Sequence, residues 1–222
     1  MDLAAHPAGY RQVTLLLFDE RIIVAPYPPC SELFRKLAFP PDPELVPATA
    51  EENYYQMYFA MGAVFRPRTY LEIGTRFGYS MVAIARGAPG LELVVSCDLQ
   101  TYENPYSLPS QQVAERNLRA SGYSGEARFI ADESRRVARL LAGNTFDLIL
   151  VDGDHTYEGC RSDILTCYPL LAPGGVMMID DLDAPSVFSA VVDCMQELNV
   201  AVSDRCFVPT KHGLYLTRRT GV

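Results

Sequence analysis

A chain of 222 residues, 49% of them hydrophobic, can close one sizeable core and is short of what two full domains need. Its formal charge of −8 disfavours a long contact with a phosphate backbone, which clustered Lys and Arg would have to hold, so nucleic acid is not expected as a partner. The six cysteines form no CxxC pair and fit a reducing cytoplasm; no apolar run has the length of a membrane span, and the opening MDLAAHPAGY lacks the basic and apolar regions of a signal peptide, so neither a membrane nor export is expected.

From Val13 to Ala25, two apolar runs flank Asp19-Glu20-Arg21 and read as a two-stranded hairpin. The proline-rich stretch from Ala38 to Pro47 reads as a linker or surface loop, because proline denies backbone donors. Thr49 and Glu52 have capping-box spacing ahead of a helix through NYYQMYFAMGAVF. Residues 1–66 are therefore taken as an N-terminal elaboration, a lid or a homo-oligomer contact, and 67–222 as the main domain. From Thr69 onward, short apolar runs alternate with amphipathic stretches of helical length: TYLEI, LELVVSC, ARFIA, FDLILV and GGVMMID are each followed by a helix. The chain then ends in VAVSD and GLYLTR, separated by a turn at Pro209 to Gly213. That order predicts a Rossmann-like α/β fold: a seven-stranded, mostly parallel sheet with helices on both faces and a closing antiparallel hairpin.

The first core strand ends in Glu72 and turns through Gly74, Thr75, Arg76 and Gly78 into a helix opening at Tyr79 and Ser80. Bare glycine backbone at a helix N-terminus, on the carboxyl edge of a parallel sheet, is where such folds receive ligands. The spacing E-x-G-x-x-x-G is not the G-x-G-x-x-G dinucleotide fingerprint, so a nicotinamide cofactor is not expected. The second core strand ends in Asp98, placed to accept both hydroxyl protons of a ribose.

A second cluster follows the fourth and fifth core strands, with Asp152, Asp154 and His155 in LILVDGDHTYEG and Asp180 and Asp181 in GGVMMIDDL. Adjacent parallel strands bring their carboxyl ends together. Several carboxylates in one cleft repel one another unless a cation intervenes, and hard oxygen ligands suit Mg²⁺, Mn²⁺ or Ca²⁺. The acids also have plainer readings: Asp154 as a turn or cap residue, and Asp180-Asp181 as caps of the helix that Pro185 opens. His212 is expected exposed in the last hairpin turn, and His6 lies in the terminus. Tyr54, Tyr55 and Tyr58, with the insertion at 101–110, are placed where a lid or acceptor pocket could form, although aromatic residues at helical spacing are more often core.

TYLEIGTRFGYS resembles the cofactor loop of class I S-adenosylmethionine-dependent methyltransferases, and within them the catechol-type and macrolide-sugar-type small-molecule O-methyltransferases, over roughly Thr69 to Leu182. The resemblance implies that Glu72 and the Gly74 to Ser80 loop hold the methionine part of S-adenosylmethionine and that Asp98 holds the ribose. It also implies that Asp132, Glu133 and Ser134 flank the adenine, with Asp152 bordering the cofactor. Arg76 stands where these families often carry other residues. The same resemblance implies a divalent metal, Mg²⁺, on Asp152, Asp180 and Asp181, with His155 as general base for a hydroxyl of a small-molecule acceptor. Asp181 stands where catechol-type enzymes carry Asn, which brings the chain closer to the sugar-modifying branch. The rival readings are a metal-independent small-molecule N- or O-methyltransferase and a non-catalytic S-adenosylmethionine-binding module.

Overall fold

The computed structural model describes residues 11–18, 22–40, 54–101 and 106–220. The expected turn at Asp19-Glu20-Arg21, most of the proline-rich segment, the Thr49 and Glu52 capping box, part of the 101–110 insertion and His6 lie outside the described residues.

An antiparallel hairpin, β1 (Arg11–Leu16) and β2 (Ile22–Tyr27), leads through a short helix α1 (Cys30–Leu33) to α2 (Tyr54–Phe65). The main sheet then builds from β3 (Thr69–Ile73), β4 (Leu93–Cys97), β5 (Glu126–Ile130), β6 (Phe146–Val151) and β7 (Leu171–Ile179). The helices α3 (Tyr79–Gly87), α4 (Ser110–Ala120), α5 (Ser134–Leu140) and α6 (Tyr157–Cys167) connect these strands, and α7 (Pro185–Glu197) leads to the hairpin β8 (Arg205–Val208) and β9 (Leu214–Arg218). The order in the seven-stranded sheet is β5-β4-β3-β6-β7-β9-β8, parallel from β5 to β7 and antiparallel beyond. The fold is the expected Rossmann-like one, with one local correction. VAVSD forms no strand: Val202–Asp204 is a 3₁₀ turn, and the penultimate strand starts at Arg205. Asp204 is buried there against Arg218 of β9, which fixes the turn and delays the strand.

The core strands read as continuous apolar runs because both faces are covered. Alternate residues enter opposite cores. Tyr70, Leu148, Leu150, Val176 and Met178 pack with α2, α3 and α4, whereas Leu71, Ile73, Ile149, Val151, Met177 and Ile179 pack with α5, α6 and α7. Leu17, Phe18 and Leu33 join the first of these cores, so the N-terminal elements share it with α3. α2 crosses α3 closely: a side chain on Gly62 would strike the Ile84 carbonyl, and one on Gly87 would strike the Phe59 carbonyl.

The pleat also decides where the acids fall. Continuing each strand by the period of two places Glu72 with Tyr70, Asp152 with Leu150 and Asp180 with Met178, all toward the α2 and α3 side at the carboxyl edge of the sheet. The sheet order reverses around β3 and β6, so this edge is also the topological switch point where α/β folds receive ligands.

Candidate functional site

The glycine turn is held tightly. Gly74 N–H donates to the Cys97 carbonyl (2.9 Å), Asp152 N–H donates to the Ile73 carbonyl (2.9 Å), and Gly78 N–H donates to the Thr75 carbonyl (2.8 Å). Gly74 has φ 87°, and a Cβ there would collide with the Asp152 carbonyl, so this position admits glycine on both counts. Arg76 is also in the left-handed region (φ 48°), an uncommon state for a residue with a side chain and one that sits at ligand-facing turns. Thr75 is anchored to β4 by the Ser96 hydroxyl (2.7 Å). The buried Asn117 of α4 donates to the carbonyls of Phe39 (3.0 Å) and Phe77 (3.1 Å) and accepts from Phe39 N–H (2.8 Å), tying the loop to the N-terminal segment. Asn117 gave no signal in the sequence, where a lone Asn on an amphipathic helix reads as surface.

Glu72 is fully buried, and burial is the main cause of a carboxyl pKa pushed up to about 8. Its Oε1 accepts from the Ser80 hydroxyl, while its Oε2 is buried without a hydrogen-bond partner among the described residues. Asp98 Oδ2 accepts from Arg76 N–H (2.7 Å) and Oδ1 from Gln100 N–H (2.5 Å). An ionised carboxylate has roughly four lone-pair sites, so Asp98 retains acceptor capacity toward the cleft. On the far side, Asp132 Oδ1 accepts from Glu133 N–H (2.8 Å), and the Ser134 hydroxyl donates to Asp163 (2.5 Å). Glu133 is exposed, and its side chain makes no capping bond to α5. Tyr79 contacts the Tyr106 hydroxyl (3.3 Å) and donates to the Phe39 carbonyl (3.2 Å).

Asp152, His155 and Asp181 converge. His155 Nε2 lies 2.9 Å from Asp181 Oδ2 and 3.8 Å from Asp152 Oδ1. Those two carboxylates, Asp152 first, push the imidazole pKa up to about 10, whereas burial lifts Asp152 to about 6. Asp181 is held below the usual carboxylate range: His155 hydrogen bonding and charge, with a smaller contribution from His212, outweigh its burial. Asp181 has φ 57°, a turn that swings its side chain away from the face occupied by Asp180.

Asp180 is not part of that group. It is buried, with its Oδ2 accepting from the hydroxyls of Tyr54 and Tyr58 (2.6 Å for Tyr58), and its Oδ1 accepts from Asp181 N–H (2.8 Å). Neither Asp180 nor Asp181 caps α7 with its side chain, since that helix starts at Pro185 with no side-chain cap. Asp154 takes its plainer role: its Oδ1 accepts from Thr156 N–H (2.9 Å), and Thr156 caps α6 through Gly159 N–H (3.1 Å).

His212 departs from its expected exposure in the hairpin turn. Its side chain is 35% exposed, with Nδ1 3.0 Å from Asp183 Oδ2 and 3.8 Å from Asp181 Oδ1, and its ring stands edge-on to Tyr54 at 5.7 Å. The cause is long-range: Asp183 N–H donates to the His212 carbonyl (2.9 Å) and docks the last hairpin turn against the β7–α7 turn.

A family profile described as a methyltransferase domain matches residues 71–182. Catechol O-methyltransferase domain-containing protein 1 of Mus musculus is 28% identical over 152 residues, 65% of this chain and 55% of that protein. Catechol O-methyltransferase of Mycobacterium tuberculosis is 28% identical over 122 residues, 55% of this chain and 51% of that protein. The chain thus spans about half the length of these curated relatives. Among solved structures, the O-methyltransferase TomG of Streptomyces achromogenes, involved in tomaymycin synthesis and in complex with SAM, superposes with a TM-score of 0.59 at 19% identity, covering 86% of this chain and 89% of that one. The O-methyltransferase of Bacillus cereus in complex with SAH superposes with a TM-score of 0.56 at 17% identity, covering 86% and 96%. At these identities the superpositions establish the fold.

Proposed function

This chain belongs to the methyltransferase-domain family, and on that premise we propose that it moves the methyl group of S-adenosylmethionine to a hydroxyl of a small, natural-product-like acceptor with the help of Mg²⁺. The observation that carries the proposal is the convergence of Asp152, His155 and Asp181 beside the glycine turn at the carboxyl edge of the sheet.

The residues fit a nucleoside cofactor. The tightly turned loop from Gly74 to Ser80 leaves bare backbone at a helix N-terminus, Glu72 Oε2 behind it is a buried polar atom without a hydrogen-bond partner among the described residues, and Asp98 keeps capacity for ribose hydroxyls. They also fit a cation: Asp152 and Asp181 present carboxylate oxygens around His155 on a half-buried floor. Asp180, held by its two tyrosines, is better suited to bracing Asp181 through that residue's N–H than to direct ligation.

S-adenosylmethionine supplies a methyl group on a sulfonium, and the cation supplies charge that lowers the pKa of a neighbouring hydroxyl. Asp152 and Asp181 would hold the cation, and with their charge so engaged His155 would lose the carboxylates that keep it protonated and could accept the acceptor's proton. The oxygen–methyl bond forms as the sulfur–methyl bond breaks, which leaves S-adenosylhomocysteine and asks of the protein chiefly alignment. Tyr54, Tyr55 and Tyr79 stack edge to face and pack against the first core. Cys97, Cys160, Cys167 and Cys194 are free and buried, and Cys206 is free and half-buried. No helix among the described residues is long and apolar enough to cross a membrane.

The test is transfer of labelled methyl from S-adenosylmethionine to catechol and to a vicinal sugar diol, with and without EDTA. Transfer abolished by EDTA and restored by Mg²⁺ supports the proposal. Transfer indifferent to EDTA favours a metal-independent methyltransferase, and binding of S-adenosylhomocysteine without transfer to any acceptor favours a non-catalytic module.

A further inference from the structure

We propose that Asp181, Asp183 and His212 form a second divalent-cation site, which goes beyond the methyl-transfer reading and shares with it only Asp181. His212 Nδ1 lies 3.0 Å from Asp183 Oδ2 and 3.8 Å from Asp181 Oδ1, while the other oxygen of Asp181, Oδ2, faces His155 at 2.9 Å. One carboxylate therefore offers a different oxygen to each of two groups, the arrangement of a bridging ligand. The donor atoms of Asp181, Asp183 and His212 lie within 4.8 Å of one another. A cation about 2.0–2.2 Å from each donor needs donors roughly 3.0–3.6 Å apart, so small side-chain adjustments would complete this site.

The second group is positioned by backbone. Asp183 N–H and Leu182 N–H donate to the carbonyls of His212 (2.9 Å) and Gly213 (3.3 Å), and Ala184 N–H closes the turn on the Asp181 carbonyl (3.0 Å). The turns that carry the donors thus hold their places whether or not the side chains pair. Asp181, Asp183 and nearby Asp152 and Asp180 concentrate negative charge that the imidazoles of His155 and His212 offset only when protonated.

Donor chemistry sets the class of ion. A hard, all-oxygen group suits Mg²⁺, whereas an imidazole nitrogen favours Co²⁺, Ni²⁺ or Zn²⁺. The second site therefore takes a transition-metal dication that Mg²⁺ displaces poorly. Asp183 is 57% exposed and His212 35%, which leaves open positions for water or for an oxygen donor of an acceptor.

The experiment is a titration of Co²⁺ into the intact chain, followed by calorimetry and visible absorption, with S-adenosylhomocysteine binding measured separately. The expected result is two Co²⁺ per chain, falling to one in His212→Ala and in Asp183→Asn while both variants keep the wild-type melting temperature within a few degrees. A single Co²⁺ lost in His212→Ala but kept in Asp152→Ala supports this site and counts against the first one. No Co²⁺ bound, or a stoichiometry unchanged by both His212→Ala and Asp183→Asn, would leave an ordinary ion pair and overturn the proposal. Failure of the methyl-transfer reading would show instead as absent S-adenosylhomocysteine binding.

Discussion

Asp180 and Asp181 are neighbours in the chain and take different partners: Asp180 accepts from Tyr54 and Tyr58 of α2, while Asp181 Oδ2 meets His155 Nε2 at 2.9 Å. The strand pleat puts the first toward α2, and the left-handed backbone at Asp181 (φ 57°) turns the second into the cleft. Substituting the two should therefore give different phenotypes. Asp181→Asn should weaken Mg²⁺ binding by at least about tenfold, since a lost charged ligand is worth more than ~1.4 kcal/mol. Asp180→Asn should change it less, and calorimetric titration of both variants provides the comparison.

The tyrosine pair is a stability device in the same region. Removing the Tyr58 hydroxyl deletes a buried donor to Asp180 and leaves Tyr54 as its remaining hydroxyl partner. Tyr58→Phe should cost about 0.5–1.5 kcal/mol, the usual net value of one hydrogen bond when the acceptor keeps another donor, and chemical denaturation measures it.

Gly74 links backbone to cofactor site most directly. Its φ of 87° and the carbonyl of Asp152 against its α-carbon forbid a side chain without moving β6. Gly74→Ala should destabilise the protein by roughly 4 kcal/mol or more, the range of backbone collisions in a core, and should abolish S-adenosylhomocysteine binding. Urea unfolding and calorimetry check the two halves separately.

Burial raises the Glu72 carboxyl from its ordinary 4.5 to about 8, with the Ser80 hydrogen bond opposing the shift and the Asp152 and Asp98 charges adding to it. The folded chain therefore keeps a proton that the unfolded chain has released. The Glu72 contribution to stability should be lost as pH rises from about 4.5 to about 8, in the absence of ligand, while His155, raised to about 10, extends the decline above that range. Melting temperatures across that range should show the decline, and Glu72→Gln, which removes this titration, should make it shallower, leaving the part due to Asp152 and Asp180.

The fold was legible because β3, β4, β6 and β7 carry the apolar runs of doubly covered strands, with turn residues between them. The VAVSD segment misled because Asp204 is buried to pair with Arg218, a contact made across the hairpin and invisible locally. At the site, Asp152, His155 and Asp181 could be read from their places at strand ends. The tyrosine partners of Asp180 could not, because they lie more than a hundred residues away on α2. His212 was misread for the same reason: its surroundings are set by the docking of two turns through Asp183 and its carbonyl. Asn117 joins α4 to two loops by hydrogen bonds that no periodicity encodes.

The most direct test of the central claim is calorimetric titration of Mg²⁺ into protein saturated with S-adenosylhomocysteine, comparing wild type with Asp181→Ala. A saturable Mg²⁺ site in the wild type that disappears in the variant is the expected result. Binding of S-adenosylhomocysteine with no Mg²⁺ uptake at millimolar concentration, or uptake unaltered by Asp181→Ala, would contradict a metal held by Asp152 and Asp181.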